Sequence, residues 1–188
     1  RGAIAPGYLA DFAVIDNFKD FNVEMVFKKG VLYWNNGELR DFEAPQIEEY
    51  LDKRAHDTFH VATLTPDDFR DTRQRGVLGM VPGEIITTDN GYADHVDLEK
   101  DILKIAVVER HKGTHHIGLG YIQGYGLRSG AVATSISHDS HNIIVVGTNS
   151  ADMAFAANYI VEHHGGIVVV ENGVVKGSVV LEIAGIMS

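Results

Sequence analysis

An α+β fold, with a mixed, mostly antiparallel sheet and a few helices, is predicted by three features of this sequence. Residues 150–164 carry apolar side chains at helical spacing. The dipeptide Asn172-Gly173 separates two apolar, β-branched runs, which is a strong short-range signal for a hairpin. Further short apolar runs follow one another with only turn residues between them. Strands therefore outnumber helices, and most neighbouring strands are expected to pair antiparallel.

The composition limits the classes of protein that this chain can belong to. It has 188 residues, of which 45% are hydrophobic, so it can bury a core. Its formal net charge of -10 argues against a nucleic-acid partner and against an anionic membrane surface, because both require clustered Lys and Arg. The chain has no cysteine, which rules out disulfides and thiolate zinc sites. No apolar run approaches the ~18 residues that a membrane span needs.

We divide the chain into three parts. Residues 1–42 contain short strands, too few for a core of their own, and residues 43–60 form a linker helix. Residues 61–188 form an α+β domain. The strands expected in the first part are 12–15, 23–28 and 31–34, with turns at Gly30 and at Asn36-Gly37.

The elements of the last part follow from the same patterns. Thr65 is a plausible N-cap with Pro66 at the first helical position, and Asn149 with Asp152 resembles a capping arrangement for the helix 150–164. The glycine-rich stretch 111–130 is expected to form a loop and a short irregular helix. The expected strands are 77–81, 84–88, 102–110, 131–137, 142–147, 167–170 and 174–181.

The histidines are the main chemical feature, and the stretch SHDSHN carries two of them, His138 and His141, beside Asp139 and Asn142. On a strand the two rings would face opposite sides, whereas on a turn they could converge. A metal site would need a further ligand from Asp139, His115 or His116.

Other readings of this stretch stay open. Asp139 with either histidine would make an acid/base pair. Ser135, Ser137 and Ser140 are close enough in sequence for a hydrolase triad, although no G-x-S-x-G motif is present. A hydrogen-bonded polar turn would require no chemistry at all.

Several other polar or glycine-rich features have plainer explanations. The stretch GLGYIQGYG lacks the G-x-G-x-x-G spacing of a dinucleotide loop, and close packing of a short helix or turn would explain its glycines. Four charged residues are expected to be solvated or to form cross-strand pairs: Glu109, Arg110, Glu171 and Lys176.

Long stretches resemble a known family. "HIGLGYIQGYGLRSGAVATSISHDSHN", "SHDSHNIIVVGTNSADMAFAANYIVEHHGGIVVVENGVV" and the terminal "IAGIMS" resemble the C-terminal region of bacterial adenine deaminases, which belong to the amidohydrolase superfamily. "GAIAPGYLADFAVID" resembles the stretch after the catalytic barrel of amidohydrolases, where the chain enters a small β-sandwich. The resemblance covers essentially the whole chain. It implies that residues 1–42 are strands of an incomplete amidohydrolase β-sandwich.

The resemblance also implies an activity for a longer protein. Enzymes of this type convert adenine and water to hypoxanthine and ammonia in purine salvage. They use a binuclear site of manganese or iron, held by a (β/α)8 barrel that would lie before Arg1. We therefore expect this chain to be a C-terminal fragment that is inactive alone and contains no metal ligands or cofactor of its own. A cytoplasmic location, adenine as the substrate and the missing barrel as a partner follow from the resemblance, which leaves a homo-oligomer open.

With this resemblance, the polar stretch becomes a candidate second shell of the active site, comprising His138, Asp139, His141 and Asn142. We also expect three residues to contact substrate: His115, His116 and Ser137. Two alternatives remain. The full-length protein could be a deaminase-like amidohydrolase that acts on another base or a cyclic amide, or the chain could be a non-enzymatic interaction or ligand-binding domain.

Overall fold

The computed structural model describes residues 2–40 and 45–188. The chain forms two compact units, Arg1–Ile47 and Glu48–Ser188. The boundary predicted between residues 42 and 43 lies outside the described residues, and the assignment of the first part to an amidohydrolase sandwich stays a prediction.

The first unit contains one antiparallel sheet with the strand order β1-β2-β3-β4. Its strands are β1 (Phe12–Ile15), β2 (Val23–Lys28), β3 (Val31–Asn35) and β4 (Glu38–Leu39). The first three were predicted, and the short β4 was not. No residue in the range 2–40 is buried, so these strands have no closed core within that range. The rings of Phe12 and Phe27 stack with their centroids 4.8 Å apart.

The second unit begins with helix α1 (Glu49–His56), which lies within the predicted linker, and continues with a short 3-10 helix at Pro66–Phe69. The carboxylate of Asp68 accepts hydrogen bonds from both the amide and the hydroxyl of Thr65, at 2.7 and 2.9 Å. Thr65 therefore occupies the N-cap position as predicted, and the Asp68 side chain satisfies its amide. Pro66 has no amide hydrogen that needs an acceptor.

The rest of the second unit is an eight-stranded sheet with the order β12-β11-β9-β10-β7-β8-β5-β6. The strands are β5 (Arg75–Met80), β6 (Thr87–Ala93), β7 (Ile102–Val108), β8 (Ile117–Gln123), β9 (Ala131–Thr134), β10 (Ile143–Gly147), β11 (Gly166–Glu171) and β12 (Val174–Val180). The β5–β8 pair is parallel and the other six neighbouring pairs are antiparallel, which confirms the mixed α+β prediction.

Two predicted elements of this sheet were wrong. The strand placed at 84–88 is shifted to Thr87–Ala93, because the turn at Pro82-Gly83 extends further than its sequence indicated. The short helix expected in the glycine-rich stretch is absent, and strand β8 lies there instead. Gly118 and Gly120 pair with Val107 and Ile105 of β7, so tertiary pairing overrides the low strand propensity of glycine.

Helix α2 (Ser150–Glu162) packs on one face of the sheet, against β9, β10 and β11. The fully buried core there joins Met153, Ala157 and Ile160 of α2 to strand residues such as Ile143 and Val145. Because the alanines of α2 are small, its axis can approach the sheet closely. No helix among the described residues is long and apolar enough to cross a membrane.

The first turn of α2 confirms the predicted cap. Asn149 Oδ1 accepts a hydrogen bond from the amide of Asp152 at 2.8 Å. The buried carboxylate of Asp152 in turn accepts from the amides of Asn172 and Gly173, at 3.1 and 2.8 Å. The predicted turn at Asn172-Gly173 is therefore hydrogen-bonded to the first turn of α2.

Candidate functional site

The antiparallel order of the strands brings three connections to one end of the second unit's sheet. They are the β7–β8 loop (109–116), the β9–β10 loop (135–142) and the short connection between α2 and β11 (163–165). These connections contain seven of the ten histidines: His111, His115, His116, His138, His141, His163 and His164. We call this region the histidine-rich end.

The predicted candidate residues lie on the β9–β10 loop, which is a turn between two strands as expected. Its tip is closed by a 2.5 Å hydrogen bond from the amide of His141 to the carbonyl of Ser137. The side chains of His138 and Asp139 contact each other through Nδ1 and Oδ1 and are 90% and 86% exposed. An imidazole and a carboxylate are thus displayed together to solvent.

The other two candidates on this loop are only partly exposed. The His141 side chain is half-buried, and its Nδ1 has no hydrogen-bond partner among the described residues. Asn142 Oδ1 accepts a hydrogen bond from the amide of Arg110 at 3.4 Å. Consequently, the loop has an exposed pair, His138 and Asp139, and an inner pair that lies against the rest of the domain.

The three predicted substrate contacts lie in different environments. His115 Nε2 lies 3.0 Å from Asp68 Oδ1, so its ring is tied to the 3-10 helix. The hydrogen bonds of Thr65 and His115 to Asp68 hold the pKa of that carboxyl below its usual range. His116 is exposed, while Ser137 is 7% exposed and is a buried residue of the β9–β10 loop itself. Of these, only Ser137 belongs to the loop that carries the exposed pair.

His111 links the two long loops and was not singled out in the sequence. Its Nε2 lies 2.8 Å from the carbonyl oxygen of Ser140. A histidine in a glycine-rich loop gives no sequence signal for such a contact, because the partner is a backbone atom 29 residues away.

Glu109 stabilises the β7–β8 loop through hydrogen bonds to other residues of the same loop. Its carboxylate accepts hydrogen bonds from the amides of His111 and Lys112 at 2.6 and 2.9 Å, and from the Thr114 hydroxyl at 2.8 Å. Burial raises the pKa of Glu109, but these hydrogen bonds outweigh burial and lower the pKa to about 2. Glu109 is partly exposed, as one of the two expectations had it, but its carboxylate binds local amides and forms no cross-strand ion pair among the described residues.

Arg110 departs further from the expectation of a solvated or paired charge. It is 2% exposed, and among residues 2–40 and 45–188 it forms no ion pair within 4.0 Å. By contrast, Glu171 and Lys176 form an ion pair across the β11–β12 hairpin, which is one of the two outcomes expected for them, with 3.2 Å between Lys176 Nζ and Glu171 Oε2.

The hydrolase-triad reading does not suit Ser135. This buried hydroxyl donates to the Gly185 carbonyl at 2.5 Å and accepts from the Gly166 amide at 2.8 Å. The hydroxyl uses both its donor and its acceptor capacity to join the end of β9 to β11 and to the C-terminal turn. It is therefore not directed at any histidine.

No three side chains of His, Asp or Glu are brought together as a potential metal site within the described residues. The H-x-x-H pair lacks the further ligand that Asp139, His115 or His116 was considered to supply. What the histidine-rich end can offer chemically is a set of hydrogen-bonding groups on loops that are hydrogen-bonded to each other.

Comparison with known proteins identifies the family. The family model of the adenine deaminase C-terminal domain matches residues 83–188, which include all three connections of the histidine-rich end. The chain belongs to the adenine deaminase C-terminal domain family. This confirms the resemblance noted in the sequence.

Curated adenine deaminases match this member of the family along all of its length. The protein from Petrotoga mobilis (strain DSM 10674 / SJ95) is 41% identical over 198 residues, and the protein from Lysinibacillus sphaericus (strain C3-41) is 37% identical over 199 residues. "Adenine deaminase 1" from Rhizobium etli is 38% identical over 200 residues. Each alignment covers 100% of this chain but 34% of the relative. The chain therefore spans about a third of the length of these relatives.

Proposed function

We propose that these residues form the C-terminal part of an adenine deaminase, which converts adenine and water to hypoxanthine and ammonia in purine salvage. The observation that carries this proposal is the match of the entire chain to proteins named adenine deaminase, at 37–41% identity in the three described above. The reaction is a hydrolysis: water adds to the ring carbon that bears the amino group, and ammonia leaves.

The full-length enzyme would be metal-dependent and cytoplasmic, with manganese or iron as the metal. The residues of this chain do not fit that metal, since the described part brings no three potential ligands together. His111 and His115 are also held by a carbonyl and a carboxylate of the domain itself. We therefore assign the metal ligands to the part of the enzyme outside these 188 residues and assign no metal-dependent step to this chain.

In this proposal the β9–β10 loop contacts the substrate pocket of the full-length enzyme. Two features support that role. The side chains of His138 and Asp139 are almost fully exposed. The loop that carries them is closed by the hydrogen bond from the His141 amide to the Ser137 carbonyl. The loop is braced by His111 through Ser140 and by Arg110 through His141. A braced, exposed imidazole–carboxylate pair can bind the edge of a purine or exclude water from it.

The proposal is tested with His138→Ala, Asp139→Asn and His141→Ala in the full-length protein. Each variant is assayed for kcat/KM with adenine, for metal content and for melting temperature. We expect kcat/KM to fall by ~10- to 100-fold while metal content and melting temperature stay constant for the two exposed residues. A lower melting temperature with normal kcat/KM would show that the loop is only structural.

A matched control lies in the β6–β7 connection. Asp94 and His95 form a similar exposed pair of neighbouring residues, with His95 Nδ1 2.5 Å from Asp94 Oδ1. His95→Ala and Asp94→Asn should leave kcat/KM unchanged, because this pair does not lie in the connections of the histidine-rich end.

Two measurements separate the alternatives. Substrate profiling of the full-length protein distinguishes an adenine deaminase from an amidohydrolase that acts on another base or a cyclic amide. Failure to release ammonia from any of these substrates would favour an interaction or ligand-binding domain. The 188 residues alone should release no ammonia from adenine above background, and release in proportion to their concentration, after contaminating enzyme is excluded, would contradict this.

A further inference from the structure

Arg110 is the most deeply buried charged side chain in the part of the chain that the structure describes, at 2% exposure. It lies two residues after β7, at the start of the β7–β8 loop, and its side chain contacts the backbone of the β9–β10 loop. Burial lowers the pKa of its guanidinium, but arginine retains its charge in proteins. A buried charge without a partner is costly, so its surroundings must compensate it.

The compensation comes from neutral oxygen atoms of three separate segments. Arg110 Nε donates to the His141 carbonyl at 2.5 Å. One terminal nitrogen donates to the carbonyl and the hydroxyl of Thr58, at 2.9 and 3.0 Å, and the other donates to the Ala184 carbonyl at 2.9 Å. These partners lie 31, 52 and 74 residues away in sequence. The planar fork of one side chain therefore fixes the mutual positions of three segments.

Neighbouring groups pack closely against the guanidinium of Arg110. The ring of Phe59 lies over it, with 4.2 Å from the guanidinium carbon to the ring centroid. On the C-terminal turn, a Cβ at Gly185 would lie 2.9 Å from the Phe59 ring and 3.0 Å from an Arg110 nitrogen. An apolar side chain could fill this space at lower desolvation cost, but it could not direct three carbonyl groups.

We propose that Arg110 is a positioning residue that holds the β9–β10 loop, through the backbone of His141, in one orientation relative to Thr58 and the C-terminal turn. This inference rests on the proposed function, because it gives the loop the rigidity that a contact with substrate requires. Arg110 itself touches no substrate: its side chain is buried and each of its side-chain nitrogens donates to Thr58, His141 or Ala184. The side chains of His138 and Asp139, by contrast, are exposed.

The test uses Arg110→Lys and Arg110→Gln in the full-length protein. Lysine keeps the charge but has no planar fork, and glutamine keeps part of the volume without the charge. Hydrogen exchange is measured for the amides of the β9–β10 loop, and kcat and KM are measured for adenine. The control is Arg128→Gln, which removes an exposed arginine that donates to a single carbonyl, that of Leu98, at 2.8 Å.

We expect the His141 amide to exchange on the order of tenfold faster in both Arg110 variants, since a charge-assisted hydrogen bond to its loop is lost. Exchange of the amides of Ile143 to Val146 should not change, and the Arg128 variant should match the wild type. Should both Arg110 variants fail to fold, Thr58→Val replaces them: it removes one acceptor of the fork, and it should also accelerate loop exchange selectively.

The outcomes distinguish this inference from the proposed function. Faster loop exchange with a fall in kcat/KM supports both. Faster loop exchange with unchanged kcat and KM supports the positioning role and counts against a substrate contact by the loop. Unchanged loop exchange, or equal acceleration throughout the domain, would overturn the positioning role whatever the activity.

Discussion

The carboxylate of Asp152, in the first turn of α2, accepts a hydrogen bond from the amide of Gly173 at 2.8 Å, across 21 residues of sequence. The same side chain accepts from the Asn172 amide and is bonded by the Asn149 side chain. One buried carboxylate thus joins the start of the helix to the turn of the last hairpin.

Asp152→Ala should destabilise the domain by about 1–3 kcal/mol, because it removes the acceptor of two part-buried hydrogen bonds that join the helix to the turn. Urea unfolding measures this change. Asp152→Asn keeps the shape and one acceptor oxygen, so it should cost less than Asp152→Ala. Equal stability of the alanine variant and the wild type would contradict the fastening role of Asp152.

Acid should remove the stabilisation that Glu109 provides. Its pKa falls from 4.5 to about 2 on folding, so Glu109 stabilises the fold fully above its unfolded pKa and loses this contribution as the pH falls through about 2. Glu109→Gln should therefore be less stable than the wild type at neutral pH, and the difference should shrink between pH 4.5 and 2. Urea midpoints across this range measure it, and a difference that is constant with pH would contradict the prediction.

Gly185→Ala should destabilise the protein by about 1–3 kcal/mol, since the added methyl group overlaps the fitted site of Phe59 and Arg110. Gly185 also has a φ of +74°, which is unfavourable for alanine. Gly83→Ala is the matched control, because Gly83 has a φ of +79° but nothing within 4 Å of an added Cβ. Equal losses of melting temperature in the two variants would show that the backbone conformation alone matters and that the fit around Arg110 does not.

Tyr121→Phe should leave stability unchanged or raise it by up to about 1 kcal/mol. Tyr121 is 1% exposed, and its hydroxyl has no hydrogen-bond partner among the described residues. Removing an unsatisfied buried hydroxyl relieves a desolvation cost. The control is Tyr159→Phe, which loses a 2.9 Å contact with Ser178 Oγ and should gain nothing. A clear loss of melting temperature in Tyr121→Phe would indicate that the hydroxyl is satisfied in solution.

The strands of the first unit should exchange their amide hydrogens faster than Ile143 to Val146. No described residue of β1 to β4 is buried, whereas Ile143, Val145 and Val146 are at most 2% exposed. A four-stranded sheet without a covered face is marginal in water. Equal protection of β2 and β10 in a monomer of the 188 residues would contradict this.

The sequence by itself determined the elements whose information is local. The cap of α2, the turn at Asn172-Gly173 and the polar turn at SHDSHN were all predictable, because capping residues, turn dipeptides and apolar periodicity act over a few residues. The family was also recognisable from the sequence, since long stretches of its pattern are present.

Features that depend on contacts between distant residues were decided only by the tertiary structure. The glycine-rich stretch became strand β8 because β7 supplies its hydrogen-bond partners, which no local propensity records. From the sequence, Arg110 was expected to be solvated or paired with an acidic residue on a neighbouring strand. In the fold, its guanidinium is buried and donates to the carbonyls of Thr58, His141 and Ala184. Backbone carbonyls are the same in every residue, so their convergence on one buried cation has no signature in the sequence and arises only from the fold.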